Sequence, residues 1–404
     1  MGPWARAITK LHLLAPIAST GFSAMTTPQP EDSARAEQAM LDALARWLMR
    51  QWPQAADVRC VFDGAPKNGM SNDTRFVTVR WQEGGIAQVA RYVLRQGTSG
   101  DPIHPLQTDA VASSVELQYR VMHALLQEGS LPLARLLPFE PDRQWLGAPF
   151  FLMAFVAGWA PPDFPGFTEQ GRIVAASADQ RRRFNERGLS ALARLHRIDW
   201  RAADLQWLDR AVADGPRMPA QLALWDNYCA PIFARTAFPV MASALTWLKA
   251  HAPDEPDAAL VWGDARPQNM LWGDDFALTA VMDWEGAAIL PPETDIAYWL
   301  VNDHMVHERL GVVRLDDYPT REEQLAFYCR ELGRPVRDMG YYRVFALMTI
   351  AATMYNVYRI LAEMGVAAGA DADPENNYFA RALARELAAA QGAQGLPLSG
   401  GEQA

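Results

Sequence analysis

Two short stretches, VWGDARPQN (261–269) and VMDWEG (281–286), carry three oxygen-bearing side chains at close spacing. Asp264 comes five residues before Asn269, and Asp283 comes fourteen residues after Asn269. A carboxylate can orient a hydroxyl group and receive its proton. Carboxylate and carboxamide oxygens are also ligands that Mg²⁺ prefers. Asp264 is therefore a candidate to orient a hydroxyl group, and Asn269 and Asp283 are candidates to bind a divalent cation.

Two arginines are placed to neutralise phosphate groups, whose transfer to a hydroxyl depends mainly on positioning and charge neutralisation. Arg266 lies between Asp264 and Asn269, where a guanidinium could contact the γ-phosphate of a nucleotide. Arg95 ends the strand-like stretch ARYVLR, from which it could reach the α- and β-phosphates. The sequence thus offers a carboxylate, metal ligands and cations for phosphoryl transfer.

A polar, glycine-containing turn precedes the strand that carries Arg95. It reads GAPKNGMSNDT and spans residues 64–74. Backbone N–H groups in such turns bind phosphate oxygens, and a hydroxyl adds a further donor. Gly69, Ser71 and Asn72 are therefore candidates to bind the phosphates of a nucleotide.

Each of these residues also has a purely structural interpretation. Asp264 can be a turn residue, Asn269 a helix cap, and Arg95 the exposed end of a strand. The order and spacing of the whole set favour the chemical interpretation of Asp264, Asn269 and Asp283. For Arg266 the two interpretations, phosphate contact and solvated surface charge, stay equally open.

The first third of the chain alternates between helical and strand patterns. Apolar residues recur at helical spacing in 33–51 and again in 111–128. The stretches RFVTVRW (75–81) and AQVARYVLR (87–95) are rich in β-branched residues, and the turn residues EGG between them predict a β-hairpin. The apolar stretch 146–159 predicts a further strand.

The remaining two thirds of the chain predict mainly helices. Residues 184–200, 219–250 and 321–333 have amphipathic helical patterns. The uncharged stretch 344–358 is shorter than a membrane span of about 20 residues and predicts a buried core helix. Two short apolar runs around the Asp264 loop, LVWGD and ALTAVMDW, predict strands.

A β-rich first third followed by a helical remainder predicts an α+β fold with two lobes. We predict a smaller lobe with an antiparallel sheet over 33–156 and a larger, mainly helical lobe over 157–390, joined near 153–158. Residues 1–32 are predicted to be a disordered or mis-assigned N-terminal extension, and 391–404 a disordered tail.

Composition excludes several classes of protein. The chain has 404 residues, a net charge of −10 and a pI of about 5.3, which argue against a nucleic-acid-binding surface. Its three cysteines are far apart and form no CxxC pair, so they predict free thiols in a reducing, cytoplasmic compartment rather than a zinc site or disulfides. The apolar run before Met25 is a poor signal peptide, which favours Met25 over Met1 as the start.

Five motifs occur in the order found in a known family. WGDARPQN is similar to its HGD loop with a later asparagine, MDWEG to its D-W-E metal turn, and NGMSNDT to its G-x-S-N-x-T nucleotide loop. RYVLR resembles the strand with its phosphate-binding cation, and LARLH its L-x-x-L-H helix. Over roughly residues 38–390 the chain therefore resembles the aminoglycoside phosphotransferase and choline kinase-like group of the protein-kinase fold, most strongly the branch associated with acyl-CoA dehydrogenases.

The resemblance implies a protein-kinase-like two-lobed fold with ATP and Mg²⁺ as cofactors. Adenine is then expected to bind backbone groups of the strand around Met153 and Phe155. We further expect Asp295 to anchor the backbone of the Asp264 loop, and His196 to be a structural histidine with satisfied hydrogen bonds.

Three positions depart from the family pattern. Trp262 stands where the family has a structural histidine, and an indole can pack there and donate one N–H. The strand cation is Arg95 rather than lysine, which keeps the charge and binds phosphate in a bidentate manner. The helix that should carry its glutamate partner has Gln118 at the aligned position and Glu116 half a turn away, so either residue can be the partner.

The favoured hypothesis is an ATP- and Mg²⁺-dependent phosphotransferase that acts on a hydroxyl group of a small molecule, with a hydroxyacyl-CoA or hydroxy acid as acceptor. One alternative is O-phosphorylation of an aminoglycoside-type antibiotic, which needs several acidic side chains. Candidates are Asp303, Glu308, Asp316 and Asp317. Alternatives from other classes are a nucleotide-binding pseudokinase or interaction protein and a carboxylate–metal phosphoester hydrolase. We expect no nucleic-acid or membrane partner, and the sequence indicates no oligomeric state.

Overall fold

The structure is a computed structural model that describes most of the chain. The described residues are 30–64, 73–98, 103–163, 166–211, 216–253, 257–308, 311, 313–363 and 377–392. Residues 1–29 of the predicted N-terminal extension and most of the predicted C-terminal tail therefore lie outside the described residues, and so do Gly69, Ser71 and Asn72. Residues 30–32, the end of that predicted extension, belong to the first helix.

The strands form one larger sheet and two small ladders. Those in the described residues are β1 Ala55–Gly64, β2 Asp73–Glu83, β3 Ile86–Gln96, β4 Phe150–Ala154, β5 Ala259–Val261, β6 Met270–Trp272, β7 Leu278–Val281 and β8 Ala288–Leu290. The first four strands make an antiparallel sheet in the order β1-β2-β3-β4, while β5 pairs with β8 and β6 pairs with β7, both antiparallel.

Helices dominate the chain after β4. The α-helices in the described residues are α1 Pro30–Gln51, α2 Ser114–Glu128, α3 Arg172–Ala175, α4 Ala178–His196, α5 Met218–Arg235, α6 Pro239–Ala250, α7 Glu293–Glu308, α8 Arg321–Leu332, α9 Met339–Glu363 and α10 Tyr378–Ala390. The predicted α+β class, with an antiparallel sheet first and helices afterwards, is confirmed. The predicted domain boundary at residue 156 stays a prediction.

The predicted hairpin is confirmed, since β2 and β3 pair along their whole length. Gly84 and Gly85 form the turn with φ of +56° and +81°. Two consecutive positive φ angles are the requirement of a two-residue hairpin turn that follows the twist of the strands, and glycine adopts them without a steric cost. This turn fixes the register that places Arg95 opposite Thr74.

The first strand, β1, was not predicted. Val58 and Cys60 are buried and alternate with exposed Arg59 and Val61, which is the period of a strand. The alternation is short, because Asp57 has a left-handed φ of +53° and the pairing of β1 with β2 shifts register next to it.

The strand predicted over 146–159 is shorter than expected. β4 begins only at Phe150, since a turn precedes it in which the Gly147 N–H donates to the Arg143 carbonyl at 2.7 Å. Beyond the end of β4, Trp159 exchanges two backbone hydrogen bonds of 2.9 Å with Trp272 of β6. This exchange links the segment that follows the four-stranded sheet to the second part of the chain.

The helical pattern predicted over 219–250 is interrupted. α5 ends at Arg235 and α6 begins at Pro239, with Phe238 between them at non-helical dihedral angles (φ −137°, ψ 68°). The ring of a proline disfavours helical geometry in the residue before it but suits the first position of a new helix. The expected buried core helix over 344–358 is confirmed as the middle of α9, where Val344 and Met348 are fully buried. Within the described residues, no helix is both long and apolar enough to cross a bilayer.

Candidate active site

A short hairpin places two of the predicted metal ligands at one end. In the ladder of β6 and β7, Met270 pairs with Val281. One step further, the Met282 N–H donates to the Asn269 carbonyl at 2.9 Å. Because the strands are antiparallel, Asn269 enters the hairpin at the same end at which Asp283 leaves it. Asn269 and Asp283, which are fourteen residues apart in the sequence, therefore lie close together.

Asp264 is buried and held by neighbours of its own loop. It is only 6% exposed. The side-chain nitrogen of Asn269 donates to Asp264 Oδ2 at 2.7 Å and to its backbone carbonyl at 3.2 Å. The Arg266 Nε lies 3.1 Å from Asp264 Oδ1. The structure thus brings Asp264, Arg266 and Asn269 together through contacts that span only five residues of sequence.

The surroundings of Asp264 keep it ionised. Burial raises the pKa of Asp264, but the positive charge of Arg266, the neighbouring His104, and hydrogen bonds from Tyr298 and Asn269 lower it further than burial raises it. Its pKa therefore lies below the ordinary value. An ionised Asp264 at neutral pH can accept a hydrogen bond from a hydroxyl group.

Tyr298 is a contact of Asp264 that the sequence did not reveal. Burial, and then the charge of Asp264, raise the pKa of Tyr298 well above its ordinary value, so its phenol stays protonated and can donate to Asp264. Tyr298 follows Asp295 by three residues on α7, which places both on one face of the helix. The three-residue spacing from Asp295 is the feature of the sequence that could have placed Tyr298 near this loop, although the spacing does not identify Asp264 as its partner.

Arg266 is not a solvated surface charge. Its guanidinium forms ion pairs with Asp264 and, at 2.8 Å, with Asp163 in the segment that follows β4. Burial alone would lower its pKa, but the charges of Asp163 and Asp264 raise it. Asp163 was not predicted, since nothing in its local sequence points to a residue 103 positions away. Contact of Arg266 with a γ-phosphate stays a prediction.

Arg95 reaches the same site from the four-stranded sheet. Its guanidinium donates to Thr74 at 2.8 Å, to Gln118 at 2.9 Å and to Asp283 at 3.0 Å. Gln118 is therefore its partner on α2, while Glu116 instead accepts from a backbone N–H of its own helix start. The Nε2 of Gln118 is buried and has no hydrogen-bond partner within the described residues. Arg95 thus lacks a carboxylate on α2 and shares the carboxylate of a predicted metal ligand.

Trp262 holds the turn that carries Asp283. Its indole N–H donates to the carbonyls of Met282 and Asp283, each at 2.9 Å, and its ring packs 5.7 Å from that of Trp284. Asp283 has a left-handed φ of +61°, a strained conformation for aspartate that needs such support. The indole therefore supports the turn that carries Asp283 through these hydrogen bonds, as expected for this replacement of histidine.

The Asp264 loop is tied to the helix that follows. Asp295 accepts the backbone N–H groups of Trp262 at 2.6 Å and Gly263 at 2.9 Å, and it contacts the Nε2 of His196 at 3.0 Å. The Nδ1 of His196 contacts the Tyr328 hydroxyl at 2.6 Å. The expectations that Asp295 anchors the loop and that His196 is structural agree with these contacts.

Glycine at position 263 is required by a close approach of two turns. Gly263 has a φ of +84°, and a Cβ there would stand 2.1 Å from the carbonyl oxygen of Gly286. No side chain fits in that space, so the loop of Asp264 and the turn of Asp283 can touch only through glycine.

The donor set suits Mg²⁺ that is shared with phosphate groups. Asp283 offers a carboxylate, and Asn269 turns its nitrogen to Asp264, which leaves its carboxamide oxygen for a cation. The described residues contain no group of three or more His, Cys, Asp or Glu side chains that could hold a metal ion alone. Mg²⁺ commonly binds through one or two protein oxygens and completes its shell with phosphates and water, so this set fits it.

The strand predicted to bind adenine has part of its backbone already paired. The Ala154 N–H donates to the Arg135 carbonyl at 2.8 Å, and the Phe155 N–H donates to the Arg91 carbonyl at 2.9 Å. Met153 lies opposite Val93 in the ladder of β3 and β4. Adenine binding at Met153 and Phe155 stays a prediction, and it would have to use groups other than these two N–H donors.

Known structures share this arrangement of elements. A Ralstonia eutropha protein assigned to the aminoglycoside phosphotransferases matches with a TM-score of 0.61 at 23% identity, over 87% of this chain and 98% of that one. A thermostable mutant of the aminoglycoside phosphotransferase APH(4)-Ia, solved with ADP and hygromycin B, matches with a TM-score of 0.50 at 12% identity, over 88% and 100%. At these identities the likeness shows the fold, which is the predicted protein-kinase-like one.

Curated relatives are larger proteins. Mouse (Mus musculus) acyl-CoA dehydrogenase family member 10 is 26% identical over 309 residues, which cover 72% of this chain and 26% of that protein. Member 11 from the same species is 26% identical over 308 residues, which cover 72% and 36%. The chain thus spans about a quarter to a third of the length of these relatives.

The family itself is identified over most of the chain. Residues 64–328, which include Arg95, Asp264, Asn269 and Asp283, match the family described as the phosphotransferase enzyme family. This match confirms the resemblance inferred from the motifs. The chain belongs to the phosphotransferase enzyme family.

Proposed function

We propose that this protein is an ATP- and Mg²⁺-dependent phosphotransferase that phosphorylates a hydroxyl group of a small molecule. The observation that carries the proposal is the convergence of an ionised, buried Asp264 with Asn269, Asp283 and Arg95. These residues come from β3, the Asp264 loop and the turn after β7, and they supply the acceptor-orienting carboxylate, the metal ligands and the phosphate-binding cation that phosphoryl transfer requires.

In the proposed reaction the acceptor hydroxyl attacks the γ-phosphorus of ATP. A bond forms between the acceptor oxygen and phosphorus, the bond to the β–γ bridging oxygen breaks, and ADP leaves. Asp264 orients the hydroxyl and receives its proton. Because its pKa is lowered, Asp264 is a weak base, which suits a loose transition state that needs little activation of the nucleophile.

The remaining residues neutralise charge. Arg95 and Arg266 stabilise the negative charge that develops on the phosphates, and the side chain of Asp163 keeps Arg266 next to Asp264. Mg²⁺, when bound, neutralises the β- and γ-phosphates, and Asp283 and the carboxamide oxygen of Asn269 would hold it. Closure of the 64–74 loop over the phosphates is part of the proposal, although that loop lies largely outside the described residues.

The favoured acceptor is a hydroxyacyl-CoA or a hydroxy acid. Two relatives carry the name acyl-CoA dehydrogenase family member, which supports an acyl-CoA-related substrate. The aminoglycoside alternative loses a predicted carboxylate, because Asp303 is buried and paired with Arg314 and Gln324. The side chain of Glu308 lies outside the described residues. The proposed partner is a small-molecule substrate, and the proposed location of the protein is the cytoplasm.

A nucleotide-binding pseudokinase remains the second candidate. The neutral Gln118 beside Arg95 favours it, because the usual ion pair on this helix is absent. The paired Asp264 and Asn269 favour the enzyme instead, since a protein that only binds nucleotide has no need of an acceptor-orienting carboxylate.

The first experiment needs no knowledge of the acceptor. Thermal unfolding is measured with ATP and MgCl₂, each alone and together, for the wild type, Asp283→Ala and the exposed control Asp316→Ala. A ligand at about 100 times its Kd stabilises the folded state by roughly 2.7 kcal/mol. We expect metal-dependent stabilisation by ATP in the wild type and the control, and its loss in Asp283→Ala.

Two other outcomes decide against the proposal. The absence of any shift with ATP and Mg²⁺ in the wild type would remove the nucleotide-dependent reaction. Stabilisation by ATP that does not depend on Mg²⁺, with no ADP formed from any hydroxyacyl-CoA or hydroxy acid tested, would support the pseudokinase.

A further inference from the structure

A polar cavity lies apart from the predicted catalytic residues. Its volume is about 360 Å³, and four arginines line it together with one carboxylate. The charged residues of the wall are Arg197, Arg201, Arg217, Arg334 and Asp257. Four guanidinium groups at one cavity are unexpected in a chain whose net charge is −10. None of the residues predicted for catalysis or for metal binding contributes to this wall.

Two of the arginines share one aromatic ring. The Cζ of Arg201 lies 3.9 Å from the ring centroid of Trp200, and the Cζ of Arg217 lies 5.9 Å from it. Trp200 is itself fixed, since its indole N–H donates to the Ala258 carbonyl at 3.2 Å. Cation–π contacts of this length stabilise each arginine, but they also bring two positive charges close together. The ring thus holds both guanidinium groups beside the cavity.

Arg217 has an unused donor in a buried position. The residue is only 6% exposed, and its Nη2 donates to Asp209 at 2.8 Å. Its Nε is buried and has no hydrogen-bond partner within the described residues. A buried charged donor without a partner is unfavourable. Arg217 thus places a buried guanidinium, paired with Asp209 through Nη2 only, in the wall of the cavity.

Arg197 and Arg334 are the other two arginines of the wall. Arg334 is held by Glu293 at 2.7 Å and lies 3.4 Å from Asp257. Arg197 is exposed and donates to the backbone carbonyl of Glu331 at 2.9 Å, which leaves further donors of its guanidinium for a ligand. Three carboxylates, those of Asp209, Asp257 and Glu293, pair with Arg217 and Arg334, whereas Arg197 makes no ion pair among the described contacts.

We infer that this cavity, referred to below as the arginine cavity, binds a phosphate group, either free or as a small phosphomonoester. Guanidinium groups suit phosphate because their planar donors match pairs of phosphate oxygens. Small-molecule sites have volumes of about 300–1,000 Å³, so the cavity has space for a phosphate together with a small organic part. The inference concerns a second site and does not depend on the proposed function.

Two buried side chains, His196 and Asp295, connect the arginine cavity to the catalytic loop. His196 contributes to the wall and contacts Asp295, which accepts the N–H groups of Trp262 and Gly263. An occupant would therefore lie next to the residue that fixes the anchor of the Asp264 loop.

The test measures phosphate binding by titration calorimetry on the full chain in 0.15 M KCl. Four proteins are compared: the wild type, the double variant Arg197→Gln/Arg201→Gln, the double variant Arg182→Gln/Arg183→Gln, and Arg95→Gln. The second double variant removes the same charge from exposed positions of α4 that do not line the cavity, so it controls for non-specific electrostatics. Arg95→Gln removes the cation predicted to bind phosphate in the nucleotide cleft.

We expect inorganic phosphate to bind the wild type, the control double variant and Arg95→Gln with similar affinity. Binding to Arg197→Gln/Arg201→Gln is expected to be at least tenfold weaker. The opposite pattern, with binding lost in Arg95→Gln and kept in Arg197→Gln/Arg201→Gln, would assign the phosphate to the nucleotide cleft and overturn the inference. Equal binding to all four proteins would mean an adventitious ion only and would also overturn it.

A second set of titrations distinguishes the two sources of phosphate. Glycerol 1-phosphate is compared with inorganic phosphate, and glycerol serves as the uncharged control. Tighter binding of the ester, lost in Arg197→Gln/Arg201→Gln, identifies a phosphorylated metabolite as the occupant, whereas tighter binding of inorganic phosphate identifies the free ion. Binding of glycerol as tight as that of its phosphate would contradict a phosphate site.

Discussion

The loop of Asp264 and the strand of Arg95 supply opposite charges to one site, but they are held in different ways. Asp264 is fixed by Asn269 and Arg266, both within five residues, and by Tyr298 from α7. Arg95 donates to the neutral side chains of Thr74 and Gln118, and its carboxylate partner is Asp283, 188 residues away. The Asp264 half of the site is held mainly by local contacts, whereas the Arg95 half depends on a contact between distant parts of the chain.

The difference indicates how the site is completed. The Asp264 loop is preorganised, because its carboxylate is ionised and oriented before any substrate arrives. Arg95, by contrast, contacts Oδ1 of Asp283, so the predicted phosphate-binding cation and the predicted metal ligand position each other. We therefore expect substitutions in the loop to affect turnover or folding strongly, and substitutions beside Arg95 to have smaller effects.

The largest effect on turnover is expected from a substitution of Asp264 itself. Asp264→Asn keeps the shape of the side chain but removes the charge that orients the hydroxyl and the base that receives its proton. Loss of such a group lowers turnover by about 10²–10⁴-fold. The rate of ADP formation with a hydroxyacyl-CoA acceptor measures it, and the thermal stabilisation by ATP should be retained. Activity within tenfold of the wild type would exclude the assigned role.

The anchor of the loop is expected to contribute mainly to stability. In Asp295→Asn, one oxygen replaces two, so the carboxamide can accept from Trp262 or Gly263 but not from both. A buried N–H is left unpaired and His196 loses its charged partner, which together cost about 3 kcal/mol. Urea unfolding measures the change, with the exposed Asp316→Asn as control. A loss below about 1 kcal/mol would mean that the loop does not rely on this anchor.

Tyr298→Phe should weaken the loop without dismantling it. The variant removes one hydrogen bond to Asp264, which costs about 1.5–3 kcal/mol when the acceptor is charged. If the transition state loses this whole contribution, turnover falls roughly 10- to 150-fold. The pKa of Asp264 is lowered in part by this bond, so the pKa rises without it. Because Asp264 must be ionised, the acid limb of the pH–rate profile is expected to move to higher pH.

The control for this variant is Tyr341→Phe, which removes a phenol that bonds the Leu248 carbonyl instead. Its profile should keep the acid limb of the wild type. An equal displacement in both variants would show a general loss of packing rather than an effect on Asp264.

The smallest effect is expected when Arg95 receives a carboxylate of its own. Gln118→Glu replaces the unpaired Nε2 with a second oxygen and creates an ion pair with Arg95, which should stabilise the folded state by about 1 kcal/mol. Thermal unfolding measures it, and Gln118→Met serves as the control that removes the acceptor. If Gln118→Glu unfolds more readily than the wild type, the cost of burying the carboxylate exceeds the gain from Arg95.

Local patterns predicted the elements well where spacing alone decides them. The β2–β3 hairpin followed from its two β-branched runs and the glycines between them, and α2 followed from its periodic apolar residues and the left-handed Gly129 that ends it. β1 escaped prediction because Asp57 interrupts a short alternation, and the break between α5 and α6 was overlooked although Pro239 marks it. Each of these irregularities is caused by a single residue, and the hydrophobic periodicity of the surrounding stretch does not show it.

The amino-acid sequence by itself determined the family and the group around Asp264, because Asp264, Arg266 and Asn269 lie within reach of one another along the chain and Asp283 follows across one short hairpin. The tertiary structure decided which distant partners complete them. Asp163 and Tyr298 meet this loop only after the helices pack, and Gln118 rather than Glu116 reaches Arg95 because of the way α2 is rotated against β3. The arginine cavity likewise joins residues 197 and 334, which no local pattern relates. Contacts between distant segments depend on how elements pack against each other, and one sequence read locally carries no record of that packing.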